Sequence, residues 1–426
     1  MTDAGPVRRR QRRDRSRRGR AIVAAFVAVG VGVGTGGAAR AAELPDAPEV
    51  SAPAAIAVEV TTGDVVFERR PDNQRSIAST TKLMTALVAL EREPDLTKTF
   101  AVPAYPGAAV ESVAGLHAGD RMTMRDLLGG LLLPSGNDAA NAIAIGVGGS
   151  VPRFVRMMND KAREIGIRAR FRNPVGLDAD GHHASPADLV KITLLLRQYP
   201  DFRRIVNAKS LRLESASPEI TVTNRNRLVQ TEEWVDGAKT GHTRKSGYSL
   251  VGTGRRNGIS VITVVLGTDS EAQRDADSLA LLRYATSSYK RSAVLKRGAT
   301  VAELPLRYRD QTVRVVAAED VRRTVRRDER TTQRVVGLPA DVEGPIAAGA
   351  RLGTIEVVQR GRVVARVPAV TAEAVAAASF GDRLDENLGR TSVQLLLVVA
   401  LLCVVALAVL ARRGRRRPVA VHEPSR

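Results

Sequence analysis

Three short motifs follow one another along the chain: Ser79-Thr80-Thr81-Lys82, Ser135-Gly136-Asn137 and Lys239-Thr240-Gly241. A serine hydroxyl is a weak nucleophile at neutral pH and needs a base beside it. On a helix, residues three apart share a face, so Lys82 can lie under Ser79. At the first turn of that helix the Ser79 N–H would stand in the positive field of the N-terminus. The lysine must lose its proton to serve as a base, which burial and a second cation both favour. Lys239 can supply that cation. Ser135 can relay a proton between amine and leaving group, and Asn137 can bind a substrate amide. Lys239 and Thr240 can hold a carboxylate, while Gly241, on a strand, lets a ligand or neighbouring backbone approach closely.

Each motif alone has an ordinary explanation. Ser79 could be a helix cap with Lys82 solvated, and Ser135-Gly136-Asn137 a capping turn. Lys239 could be an exposed lysine on a surface strand. A second Ser-x-x-Lys, Ser287-Ser288-Tyr289-Lys290, reads as incidental. Three separate explanations need three coincidences of order and spacing; one active site explains all three. His117, His182 and His183 lack metal-ligand spacing, so no metal site is expected and a loop role suits them better. Asp120 and Asp126 fit turn and helix-start roles, and Trp234 fits packing near the motif strand.

Positioning these residues takes a mixed fold. Strand signals at 54–60 and 64–69 flank Thr62-Gly63 as a hairpin. Helical periodicity covers 79–90, 124–133, 138–145, 152–165 and 186–197. Strands return at 235–243, 248–253 and 259–266, the last two joined through Arg255-Arg256-Asn257-Gly258, a hairpin turn signal. A long helix is expected over 271–290. Strands opening and closing a helical middle indicate an α+β domain over 54–290, with an antiparallel sheet, a helical lobe and a cleft between them. Short β segments at 300–308, 311–316, 355–359 and 362–367 then suggest a small all-β domain over 298–370, with linkers at 42–53 and 371–390.

The chain has 426 residues, 44% apolar, with a formal charge of +20. Nine Arg and two Asp in residues 1–20, with six Arg and one Glu in 412–426, place +12 of that in two tails. Both tails abut apolar stretches, so they read as topogenic charges and argue against a nucleic-acid partner. Residues 1–41 read as a signal peptide, with a basic region, a Gly-interrupted apolar core and small residues at Ala39 and Ala41. Residues 393–411 form an uncharged stretch long enough for a transmembrane helix, followed by a basic cytoplasmic tail over 412–426. That topology puts the chain in the cell membrane by a single pass, with residues 42–390 outside. Cys403, the sole cysteine, lies within the span, so the exported part has no thiol chemistry.

With these motifs in place, the chain resembles the serine penicillin-recognising superfamily. More narrowly, it is similar to the D-alanyl-D-alanine carboxypeptidases, the low-molecular-weight penicillin-binding proteins. The segments SIASTTKLMTALVAL, LLLPSGNDAANAIA, FRNPVGLDADGHHASPADL and DGAKTGHTRKSGYSLVG carry the resemblance. It covers residues 50–290 closely and about 298–370 more loosely, the latter like the family's C-terminal β domain. The resemblance implies a serine β-lactamase/transpeptidase-like fold with no cofactor. It also implies an enzyme that removes the terminal D-Ala from peptidoglycan stem peptides and is covalently inhibited by β-lactams. It makes Ser79 the acylated nucleophile, Lys82 the base, and Ser135 and Asn137 the second catalytic element. Lys239, Thr240 and Gly241 would bind substrate, and the N–H groups of Ser79 and His242 would form the oxyanion hole. Two departures stand out: an apolar spanning segment replaces the family's amphipathic anchor, and no counterpart of the class A β-lactamase deacylating glutamate is visible. The alternatives are a β-lactamase-type hydrolase, a D,D-endopeptidase, or a non-catalytic wall-binding scaffold.

Overall fold

The computed structural model describes residues 44–389 and 391–414. The expected signal peptide and residues 415–426 of the basic tail lie outside the described residues.

Five antiparallel strands form the central sheet, in the order Val65–Arg69, Ala54–Glu59, Ile259–Thr268, Gly247–Arg256, Val235–Thr243. Chain start and chain end thus share one sheet, as the element pattern requires. The first two strands join through Gly63 at φ 75°, and Asn257 and Gly258, at φ 52° and 79°, make the two-residue turn before Ile259. Both central residues need positive φ there, which is what Asn-Gly supplies.

Alternation along the strands divides the core in two. Ile56, Val58, Ile262 and Val264 join the helical lobe. Ala55, Ala57, Val261 and Val265 face Leu281, Leu282 and Ala285 of the Glu271–Ser287 helix. The lobe is built from helices Lys82–Arg92, Met124–Leu132, Asn137–Gly148, Val151–Glu164, Pro186–Leu196 and Pro200–Asn207. Its central member, Lys82–Arg92, is buried from Lys82 to Leu90, so its periodicity predicts the face less well than its length.

Several expected boundaries move. Ser79 lies in a 3-10 turn, Ala78–Thr81, just ahead of the α-helix and outside its first turn. Val50 and Ala52 are buried, and the Ser51 and Ala52 N–H groups both donate to Asp277 Oδ2 at 2.9 Å, so this part of the expected linker is docked. The helix expected to reach residue 290 ends at Ser287, and strand Tyr289–Leu295 begins the β region. The incidental Ser287–Lys290 motif is this junction: Ser287 and Ser288 donate back to Tyr284 O, and Lys290 is exposed. The all-β domain pairs Tyr289–Leu295 with Val321–Arg326, beside a five-stranded antiparallel sheet over a core including Val313, Val315, Ile355 and Val357. The second expected linker contains a helix, Phe380–Gly389, which Ser379 and Asp382 open by reciprocal side-chain caps. Thr391–Gly414 follows as a helix, and Gln394–Arg412 within it has mean hydropathy 3.0 with every described side chain exposed.

Candidate active site

The edge strand Val235–Thr243 runs against the Ser79 turn. A Cβ on Gly241 would stand 3.0 Å from Ile77 O, 3.1 Å from Thr80 N and 3.2 Å from Ser79 N. The strand can lie that close only because residue 241 has no side chain. From the other side Gly176, at φ 91°, abuts the same turn; its Cβ would meet Ala78 O at 2.0 Å. Two glycines therefore clamp the turn between a strand and a loop. Ala78 itself sits at φ 46° and Ser135 at φ 69°, left-handed conformations that cost a non-glycine residue about 1 kcal/mol or more.

Ser79 is half-buried, whereas Lys82 is fully buried. Lys82 Nζ donates to Ser79 Oγ at 3.1 Å, Asn137 Oδ1 at 2.6 Å and Val175 O at 2.7 Å. Its pKa is brought down to about 7, chiefly by burial with a smaller push from the Arg225 cation, against the opposing pull of the Asp138 and Glu111 carboxylates. The amine is thus available in its neutral form near neutral pH. Lys239 is also buried, donates to its neighbour Thr240 O at 2.9 Å, and is held well below an ordinary lysine by burial and then by Lys82. Lys82 and Lys239 repel one another, as the sequence suggested, and Arg225 adds a further cation that acts on both. Arg225, exposed, donates to Ser112 Oγ at 2.5 Å and reaches both lysines electrostatically.

Ser135 is buried, yet its Oγ has no hydrogen-bond partner among the described residues. Asn137 begins the Asn137–Gly148 helix and has its amide orientation fixed from two sides. Its Oδ1 accepts from Lys82 and its Nδ2 donates to Glu111 Oε2 at 2.7 Å. The same Glu111 oxygen accepts from Tyr105 OH at 2.5 Å, which holds the carboxyl below its ordinary range. Thr240 is buried beside Lys239, and His242 is exposed one residue past Gly241, its ring stacked on Tyr248 at 4.0 Å. The eight residues singled out by sequence thus fall on one turn, one helix entry and one edge strand. Hydrogen bonds directly join Ser79, Lys82 and Asn137.

Sequence reasoning missed the residues that hold this group in place. Asp138 is buried, and its carboxylate accepts from the N–H groups of Ala114, Gly115 and Leu116 at 2.8–3.0 Å, pinning the loop that carries Glu111. Asn173 Oδ1 accepts from the N–H groups of Val175, Gly176 and Leu177, which aims Val175 O at Lys82. His182 is buried and neutral, its pKa brought down to about 4 chiefly by burial. Its Nδ1 accepts from Arg172 N–H at 3.2 Å, so Nε2 carries the hydrogen and donates to Thr81 Oγ1 at 2.8 Å. The only signal for these was position: Asp138 adjoins the Ser-Gly-Asn motif, and Asn173 to His182 lie in one Asn/Gly/Asp-rich stretch. Among the described residues, no group of His, Cys, Asp and Glu could hold a metal ion.

A serine and a buried, neutralisable amine in an α+β fold with a helical lobe define a serine hydrolase of the penicillin-binding type. The chain matches the D-alanyl-D-alanine carboxypeptidase family over residues 41–270, and the C-terminal domain of penicillin-binding protein 5 over 289–377. It is 32% identical to the D-alanyl-D-alanine carboxypeptidase DacD of Escherichia coli, across 80% of this chain and 91% of that one. To DacF of Bacillus subtilis it is 29% identical, across 79% and 89%. Among solved structures, DacD of Francisella tularensis aligns with TM-score 0.57 and 25% identity, covering 79% of this chain and 96% of that one. The Streptomyces K15 DD-transpeptidase aligns with TM-score 0.54 and 31% identity over 57% and 99%. The chain belongs to the D-alanyl-D-alanine carboxypeptidase family and is a serine-type, penicillin-binding hydrolase.

Proposed function

We propose that Ser79 is the acylated nucleophile in removal of the terminal D-Ala from peptidoglycan stem peptides. The observation that carries this reading is the Lys82 amine, buried and 3.1 Å from Ser79 Oγ. Neutral Lys82 takes the hydroxyl proton as Oγ attacks the carbonyl carbon of the penultimate residue. The N–H groups of Ser79 and His242 receive the developing oxyanion. Ser135 Oγ, with no hydrogen-bond partner among the described residues, passes the proton to the departing amine. Thr240, Lys239 and exposed Arg225 hold the terminal carboxylate, and Asn137 binds a substrate amide. Water then attacks the acyl ester, Lys82 again accepting the proton, and Ser79 is regenerated.

The reading as a fast β-lactamase gains no support from Glu111, the carboxylate bonded to the Asn137 amide, nor from Asp138, which is taken up by three backbone N–H groups. Both Glu111 oxygens are engaged, Oε2 by Tyr105 and Asn137 and Oε1 by the Ala108 N–H. The apolar helix Gln394–Arg412 supports an integral membrane anchor, and the basic residues after it support a cytoplasmic C-terminus with the catalytic domain outside.

Incubation with a pentapeptide ending in D-Ala-D-Ala should release free D-Ala, and a fluorescent penicillin should label the protein covalently. Ser79→Ala should lose both while melting at the wild-type temperature. A folded wild type that releases no D-Ala overturns the proposal.

A further inference from the structure

A cleft of about 870 Å³ opens between helix Val151–Glu164 and the segment 167–172, and none of the candidate active-site residues lines it. Five arginines line it, Arg156, Arg163, Arg168, Arg170 and Arg172, and no carboxylate does. Their spacing is ordered. Ile167, Ala169 and Phe171 are buried while Arg168, Arg170 and Arg172 are exposed. In an extended chain that alternation sets three guanidinium groups on one face, about 6.5 Å apart. On the facing wall Arg156 and Arg163 are seven residues apart, two helical turns or about 10.5 Å along the same side.

Some of this charge is already answered within the protein. Arg163 meets Asp160, Arg168 stands 3.7 Å from Asp72, and Arg172 Nε donates to Asp180 O at 3.0 Å. Arg156 and Arg170 make no side-chain hydrogen bond or ion pair among the described residues. These two unanswered cations, one on the helix and one on the 167–172 segment, line the same cleft as Val155 and Phe171.

We propose that this cleft binds a single extended polyanion of the cell envelope, a linear phosphodiester polymer whose charges recur at the spacing of the arginine row. Guanidinium groups match phosphate oxygens in pairs, and all five cations are arginine. A concave cleft accepts a strand; a planar lipid surface would touch only its rim. The cleft wall is also joined to the catalytic turn, because Arg172 N–H holds His182 and His182 holds Thr81. A polymer lying there would therefore keep the enzyme against the wall while leaving Ser79 open. Meeting such a polymer rests on the proposed location outside the membrane; the binding itself does not.

The test uses the full chain in uncharged detergent and a fluorescent poly(glycerol phosphate) of about ten repeats, read by anisotropy. Saturable binding is expected, with a log affinity against log salt slope between about −2 and −3.5, as for three to five phosphate contacts by an unpaired strand. The double variant Arg156→Gln, Arg170→Gln should bind about tenfold more weakly yet label with penicillin at the wild-type rate. Ser79→Ala should bind the polymer as wild type does, so loss of carboxypeptidase activity and loss of this site are read separately. Absent saturable binding, or equal affinity in the double variant, overturns the proposal. Tighter binding to anionic phospholipid vesicles, or to polyglutamate, at matched charge would also overturn it.

Discussion

At the scale of single residues, the fold lowers the proton affinity of one amine and fixes the orientation of one amide, as the proposed mechanism requires. Lys82 titrates at about 7 in the folded chain against 10.5 for an ordinary lysine, chiefly because burial removes its water. Between those values the unfolded chain holds a proton that the folded chain does not. The burial penalty is therefore complete below pH 7 and is relieved as pH rises toward 10.5. Melting wild type and Lys82→Met from pH 6 to 10 should show the difference moving steadily in favour of wild type. A constant difference would mean that Lys82 keeps an ordinary pKa. In parallel, acylation by penicillin should rise with pH around a midpoint near 7. Glu111 acts one step back, as a positioning residue: it receives the Asn137 amide hydrogen and so keeps Oδ1 toward Lys82. Glu111→Gln can present a donor to that amide and let it turn over. Acylation should slow about tenfold, equivalent to about 1.4 kcal/mol in the barrier, with KM for the peptide little changed. An equal loss from simple destabilisation would show instead as a lowered melting temperature.

At the scale of elements, close approach decides the geometry. Gly241→Ala would set a methyl at 3.0–3.2 Å from the backbone of Ile77, Ser79 and Thr80, and the strand must shift to relieve it. The expected cost is about 1–3 kcal/mol of stability, with a far larger loss of penicillin acylation because the Ser79 turn moves with it. Wild-type acylation in this variant would show that the clamp is unimportant. Strong local signals made much of this architecture legible. Residues 235–243 read as a strand and form one, and Asn257-Gly258 announced its hairpin. What stayed hidden lacks local periodicity. Strands Val321–Arg326 and Thr331–Val336 are laden with Arg, Thr and Gln, so their alternation is blurred by charged and polar side chains. Glu111 lies in a loop, and its place beside Asn137 is set by Asp138 gripping three N–H groups of the same loop. Such a contact is made by the fold; no pattern within the loop encodes it.

At the scale of the whole molecule, the β domain is tied to the catalytic domain through a cluster of charges at two hairpin tips. Asp64, just after the first turn, accepts from Arg360 by both oxygens, at 2.5 and 2.7 Å, and from Tyr289 OH at 2.7 Å. Arg360 sits at φ 49° on the tip of the hairpin between Arg351–Gln359 and Arg362–Thr371, and also reaches Glu329 at 3.1 Å. The Arg360 hydrogen bonds hold the Asp64 pKa down at about 2 against 3.8 for a free carboxyl, overcoming the opposing effect of burial. A lowered carboxyl pKa stabilises the fold fully above pH 3.8, and that contribution is lost as pH falls toward 2. Because the Arg360 side chain is nearly half exposed, solvent screening limits the pair to about 1 kcal/mol at neutral pH. Arg360→Gln should therefore lower stability modestly at pH 7 and broaden calorimetric unfolding, as the β domain melts ahead of the catalytic domain. The gap between wild type and variant should close between pH 4 and pH 2. A gap that persists unchanged at pH 2, or a variant that still melts in one sharp wild-type transition, would show that the Tyr289–Leu295 strand and its neighbours couple the domains without this ion pair.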